Sequence, residues 1–168
     1  MASELYLRPS KEEYYLRLAA EVATRSTCLR KHFGAVIVRD DQIISTGYNG
    51  APRGTPNCFA LGYCPREEAG IPAGQRYELC RSVHAEANAI IHAARLEMLE
   101  GILYLAARDA KTGELLSGIR PCKMCTRLII NAGLREVIVR EGADRYVRYR
   151  VADWVAADDG KVDPSSGY

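Results

Sequence analysis

Apolar positions along the chain recur with two periods, and each change of period marks an element. Tyr14, Leu16, Leu18, Ala19, Val22 and Ala23 recur at helical spacing behind Ser10-Lys11-Glu12-Glu13, which places Ser at an N-cap and Glu three residues on. Two β-branched runs, 34–38 and 42–46, flank Arg39-Asp40-Asp41 and predict a hairpin. Periodicity then disappears from Gly47 to about Arg81, a stretch rich in Gly, Pro and Cys. An irregular segment of that length inside a compact domain requires a functional or structural tether. Residues 84–98 predict a helix, with Ala87, Ile90, Ile91 and Ala94 at buried spacing. Residues 102–107 are apolar throughout, the pattern of a central strand. Lys111-Thr112-Gly113 reads as a turn, Pro121 as a helix start that continues over 126–132, and Gly133 as its C-cap. Residues 136–140 form another apolar strand. This alternation implies crossovers between parallel strands and an α/β architecture with helices covering the sheet. The expected organisation is one domain over 1–157, with the polar stretch 158–168 a disordered tail.

Composition narrows the picture. Hydrophobic residues make up 48% and charged residues 26% of 168, the profile of a globular protein. A formal net charge of +2 argues against a nucleic-acid-binding face, which needs concentrated basic charge. No apolar run approaches the roughly 18 residues of a membrane span, and MASELYLRPSKEE lacks a signal-peptide pattern, so the expected compartment is the cytoplasm. In a reducing compartment six cysteines do not persist as disulfides, which turns attention to metal binding or catalysis.

Three donors stand in a suitable arrangement. Zinc hydrolases use three protein ligands and leave one position open for water. His84 opens one predicted helix, while Cys122 and Cys125 lie on the first turn of another, three residues apart and so on one face. The positive end of that helix favours the thiolates that bind metal. Glu86, two residues past His84, suits a general acid/base beside the metal. Each part alone is ordinary: a single His often caps a helix, and a lone CxxC can be a redox pair or half of a structural zinc site. His84-Ala85-Glu86 followed by Pro121-Cys122-Lys123-Met124-Cys125 is far more specific, and matches the zinc deaminase signature HxE…PCxxC.

With these motifs the chain resembles the deoxycytidylate deaminases of the cytidine deaminase-like superfamily. The resemblance is carried by residues 26–30 (STCLR), 34–38 (GAVIV), 45–54 (STGYNGAPRG), 81–91 (RSVHAEANAII), 121–125 (PCKMC) and 129–133 (IINAG). It implies a three-layer α/β/α fold with a central mixed sheet, and hydrolysis of dCMP to dUMP and ammonia. Attack falls at C4 of cytosine, with Glu86 protonating N3 and then the departing amine. The resemblance further implies that Asn49 binds the deoxyribose hydroxyl and the Ala85 backbone holds the base. Arg30, Lys31, Arg53 and Arg120 are candidate donors to the 5′-phosphate, and Tyr146 could reach in from beyond the last strand. A homo-oligomer is also implied, a hexamer among its forms.

Some relatives carry a second, structural zinc, and by resemblance Cys28 and Cys58 supply two of its ligands. Cys64 and Cys80 complete a four-thiolate set by composition, with His32 or His92 as substitutes; buried thiols without metal are the alternative. The chain departs from the family at an insertion of roughly ten residues within 108–120, and at 145–156, where Tyr146, Tyr149 and Trp154 suit packing on a neighbouring subunit. Competing readings are deamination of CMP, dCTP, cytidine, guanine or a tRNA adenosine, and a zinc scaffold for partner binding.

Overall fold

The computed structural model describes residues 7–161, so of the tail expected over 158–168 the part from 162 onward lies outside the described residues. Helix α1 (Lys11–Ala23) begins at Ser10, whose hydroxyl accepts the Glu13 N–H at 3.1 Å. Only that half of the capping box forms, because the Glu13 carboxylate turns to Arg140 instead. Strands β1 (Lys31–Arg39) and β2 (Gln42–Tyr48) make the predicted hairpin, longer than its β-branched runs. Arg39 pairs with Gln42, leaving a two-residue turn in which Asp40 (φ 49°) and Asp41 (φ 64°) are both left-handed. That is the turn whose twist suits a hairpin, and short acidic side chains tolerate it. The Tyr15 hydroxyl fastens the turn to α1 by donating to Asp41 Oδ1 at 2.8 Å.

The irregular segment holds three single turns: α2 (Cys58–Leu61), α3 (Pro65–Glu68) and a 3₁₀ turn over Tyr77–Leu79. The long helix expected over 84–98 divides into α4 (Ala85–Ile91) and α5 (Arg95–Met98). At the division the His92 ring bonds the Thr46 carbonyl at 2.8 Å, a tertiary contact that periodicity does not report. Strand β3 (Ile102–Asp109), helix α6 (Lys123–Ala132) and strand β4 (Glu136–Glu141) follow as predicted, with Gly133 (φ 80°) as the left-handed C-cap. Strand β5 (Arg145–Arg150) and helix α7 (Val151–Ala157) complete the order. Of the stretch 145–156, strand β5 extends this chain's own sheet at its edge.

The five strands lie in the order β2-β1-β3-β4-β5, with β3–β4 parallel and the other pairs antiparallel. Both crossovers, β2-α4-β3 and β3-α6-β4, join strands running the same way, as the alternation implied. On one face α1 packs Leu16 and Ala19 against Val36, Tyr104 and Ile138. On the other, α4 and α6 pack Ala85, Ala89, Ile129 and Ala132 against Ile37, Leu103, Leu105 and Val139. The result is the expected three-layer α/β/α sandwich with a mixed sheet. Each fully buried Leu or Ile stabilises it by roughly 1.5–3 kcal/mol of transfer free energy.

Candidate metal centre and substrate cavity

The opposite-face helices bring their N-termini together. Helix α4 is held on β2 by the Ser45 hydroxyl, which donates to the Ala89 carbonyl at 2.7 Å, and by the Asn88 amide, which donates to the Tyr48 carbonyl at 2.8 Å. A two-way backbone pairing of Gly50 with Val83, at 3.2 and 2.8 Å, then sets His84 beside the end of β2. His84 is the N-cap of α4, yet its side chain makes no capping bond and faces α6 instead. Its Nδ1 stands 3.4 Å from both Cys122 Sγ and Cys125 Sγ. Cys122 is the N-cap of α6 rather than a residue of its first turn, and its sulfur accepts the Cys125 N–H at 3.5 Å.

The electrostatics follow from burial and contact. A hydrogen bond with Cys125 and the neighbouring His84 imidazole bring the Cys122 thiol down to about 4. Cys125, which donates to that thiolate and is buried, is pushed up. The sulfur of Cys122 also raises His84 against the opposing effect of burial. Glu86 is only 4% exposed, and burial pushes its carboxyl above the usual range despite the His84 charge. A carboxyl so placed holds a proton at neutral pH more readily than an exposed one, as a proton carrier needs.

Among the described residues, His84, Cys122 and Cys125 are the group of three donors whose ligand atoms all lie within 4.8 Å of one another. One imidazole and two thiolates fit zinc in ligand type, and three donors match a hydrolytic site with one position open. Cys28, Cys58, Cys64 and Cys80 all line the cavity beside this cluster, but they are not drawn to that spacing. The His92 ring is engaged at both nitrogens, by Thr46 and Arg53, whereas His32 uses Nε2, 2.8 Å from the Cys28 carbonyl.

A cavity of about 400 Å³ opens onto His84, Glu86 and Cys122. It gathers Asn49, Ala85, Arg30 and Arg120 from the expected site, together with Lys31. Asn49 is pinned under it, its Oδ1 accepting the Phe33 N–H at 2.8 Å and its Nδ2 donating to the Lys31 carbonyl at 3.0 Å. One amide hydrogen remains for a ligand. Arg120 arrives on the insertion, which runs back along β3 through the Arg108–Leu115 bridge and anchors Ile119 in the core. Two expected residues do not line the cavity. Arg53 is exposed and donates to His92, and Tyr146 sits on edge strand β5 opposite Arg140. Sequence reasoning missed Arg66 and Tyr77, which do line it: Tyr77 lies edge-on to the His84 ring at 5.3 Å. Both belong to the aperiodic segment, where no pattern distinguishes a cavity residue from a loop residue.

Helix-mounted His and Cys donors beside a buried carboxyl have the chemistry of a metal-assisted hydrolytic site. The chain's relatives agree with that class. A family described as the cytidine and deoxycytidylate deaminase zinc-binding region matches residues 9–141, and the chain belongs to it. The deoxycytidylate deaminase of Schizosaccharomyces pombe is 35% identical over 131 residues, 78% of this chain but 37% of that protein. The corresponding enzyme of Mycobacterium phage D29 is 36% identical over 136 residues, 78% of this chain and 94% of its own length. In fold, the chain resembles the dCMP deaminase of cyanophage S-TIM5, solved with dCMP and dUMP, at a TM-score of 0.56 and 24% identity over 80% of this chain and 84% of that one. Among the described residues no helix is long and apolar enough to cross a membrane.

Proposed function

We propose that this protein is a zinc-dependent hydrolase that converts dCMP to dUMP and ammonia, with His84, Cys122 and Cys125 holding the metal. The observation that carries this reading is the buried Glu86 carboxyl beside the His84-Cys122-Cys125 cluster, in a cavity also lined by Arg30, Lys31 and Arg120. The curated relatives named as deoxycytidylate deaminases support the choice of substrate. Zinc bound there supplies Lewis-acid activation of the attacking water. Glu86 takes a proton from that water and delivers it to N3 of the cytosine. As the C4–N bond breaks, the water's second proton, passed by the same carboxyl, leaves with the amine as ammonia. The Ala85 N–H, in the first turn of α4 and without an intrahelical acceptor, holds the base, and the remaining Asn49 amide hydrogen donates to the deoxyribose hydroxyl. Arg30 and Arg120 face the 5′-phosphate. Arg30 is paired with Glu67 at 3.0 Å, a half-exposed carboxylate that the stronger phosphate charge displaces.

A structural zinc at Cys28, Cys58, Cys64 and Cys80 is the finer part of the proposal. The sulfurs of Cys28 and Cys80 each accept a backbone N–H two residues on, from Arg30 and Ser82 at 3.4 Å, a local arrangement that favours thiolate ligands. Burial, and then the facing sulfurs of Cys28, Cys64 and Cys80, push the Cys58 thiol up, a repulsion that a divalent cation relieves. Two zinc ions per chain support this arrangement, and one overturns it. The compartment is proposed to be the cytoplasm, and the assembly a homo-oligomer. Ammonia release from dCMP, CMP, dCTP, deoxycytidine, cytidine and guanine tests the activity; dCMP is expected to lead. Preference for a free nucleoside would overturn the phosphate reading.

A further inference from the structure

Arg66 carries a buried charge that the fold leaves incompletely matched. It stands on α3, a single turn in the aperiodic segment, and is 5% exposed. Its Nη2 donates to the carbonyls of Pro72, at 3.1 Å, and Gln75. Its guanidinium lies over the Tyr77 ring, 4.7 Å from the centroid. Among the described residues its Nε–H finds no acceptor. No described carboxylate forms an ion pair with it either: Glu67 is paired with Arg30 and Glu78 with Arg76. Burying a cation without an anion costs several kcal/mol, so such an arrangement points to an anion that arrives from outside.

The cavity tells where that anion goes. Arg66 lines the same cavity as Glu86 and Asn49. Tyr77 touches both the charge and the metal cluster, with one face under the Arg66 guanidinium at 4.7 Å and its ring in a T-shaped contact with His84 at 5.3 Å. Both contacts share the Tyr77 ring, which keeps the guanidinium within reach of a nucleotide whose base lies at His84. The guanidinium is planar, is already fixed by two carbonyls and a ring, and therefore loses little freedom on meeting a phosphate.

Resting on the nucleotide reading above, we infer that Arg66 determines specificity for the phosphate, donating its unpartnered Nε–H to the phosphate of a nucleoside monophosphate while the base lies at His84 and Glu86. Arg30 and Arg120, at the more open margin, complete the charge. The preference for a phosphorylated substrate then resides in a side chain held by the aperiodic segment and not in the metal cluster.

The test compares dCMP with deoxycytidine as substrates for the wild-type protein and for Arg66→Met, with zinc content measured on both. In Arg66→Met the KM for dCMP is expected to rise at least about tenfold, the loss of one charge-assisted hydrogen bond. Turnover of deoxycytidine and zinc content are expected to stay unchanged. Inorganic phosphate is expected to compete with dCMP in the wild type and to lose that effect in the variant. An unchanged KM for dCMP overturns the assignment. So does an equal loss on both substrates with zinc retained, which marks a merely structural residue. Should Met not fold, Arg66→Lys keeps the charge but gives up the Nε–H and the flat contact with Tyr77; a dCMP KM equal to wild type then overturns the inference. A wild-type protein with no preference for dCMP over deoxycytidine overturns the nucleotide reading itself, before any variant is compared.

Discussion

A Cβ at Gly47 would stand 2.3 Å from the carbonyl oxygen of Ala85, so the helix that carries Glu86 rests directly on the backbone of β2. The same Cβ would meet the Ala89 nitrogen at 2.3 Å, and both obstacles are backbone. Gly47→Ala is therefore expected to push α4 off the sheet, widening the approach of His84 to Cys122 and Cys125. Overpacking of this kind costs about 1–3 kcal/mol. The expected outcome is a lower melting temperature together with weakened zinc retention on dialysis. A variant with wild-type zinc affinity would show that α4 can lie farther out without disturbing the cluster.

Glu86 and Cys122 differ in what their loss removes. Glu86→Gln keeps the shape and burial of the side chain but cannot carry a proton, and the metal donors are untouched. Its kcat is expected to fall by at least about a hundredfold with zinc retained, the usual scale of lost general acid/base assistance. Cys122→Ser removes a donor and also the sulfur that accepts the Cys125 N–H at the start of α6. Both zinc and turnover are expected to go. Metal analysis beside the ammonia assay separates the two outcomes; near-normal turnover in Glu86→Gln would remove the proton-carrier role.

Much of this site could be read before the fold was known, for a physical reason. His84, Glu86, Cys122 and Cys125 announce themselves because the ligand types are few and their spacing is set by helix geometry within each motif. The sheet was legible where burial is two-sided, as in β3, apolar from Leu103 to Ala107, and in β4 over Val137, Ile138 and Val139. Strand β5 was not, since Arg145-Tyr-Val-Arg-Tyr-Arg150 lies at an edge and is mostly exposed, leaving no one-sided pattern. The break between α4 and α5 depends on His92 meeting Thr46, a contact 46 residues away in sequence. Arg66 escaped for the same reason: its partners are loop carbonyls and a ring that only the folded segment brings together.

The cavity also sorts the basic residues that the sequence offered together. Arg53 donates to His92 Nε2 at 2.8 Å outside the cavity, and Tyr146 stands 42% exposed on β5. Arg53→Ala and Tyr146→Ala are expected to leave the KM for dCMP within about twofold of wild type, the range of ordinary surface substitutions. Arg120→Ala, which empties a position on the cavity wall, is expected to raise it severalfold. Steady-state kinetics on the three variants check the division; a tenfold rise in KM for Arg53→Ala would place the phosphate on the His92 side.

Arg140 makes stability depend on pH through one carboxylate. It is 1% exposed on β4, its Nη1 lies 2.8 Å from Glu13 Oε2, and its Nε has no acceptor among the described residues. The hydrogen bond with Arg140 holds the Glu13 carboxyl below its usual value, against a smaller opposing effect of burial. A carboxyl depressed by folding contributes stability above its unfolded pKa, about 4.3, and loses it as pH falls through the lower folded value. Glu13→Gln leaves the buried guanidinium without its anion, so at pH 7 it is expected to destabilise by about 2–4 kcal/mol, somewhat under a fully buried pair because Glu13 is partly exposed. As pH falls through that lowered value the wild-type carboxyl protonates, and the gap between wild type and Glu13→Gln is expected to close. Urea unfolding of both proteins at pH 7 and pH 3 measures that gap directly, and changes at the metal cluster cancel in the difference. A gap that stays constant across the range would mean that α1 is held to β4 by packing of Leu16 and Ala19 and not by this ion pair.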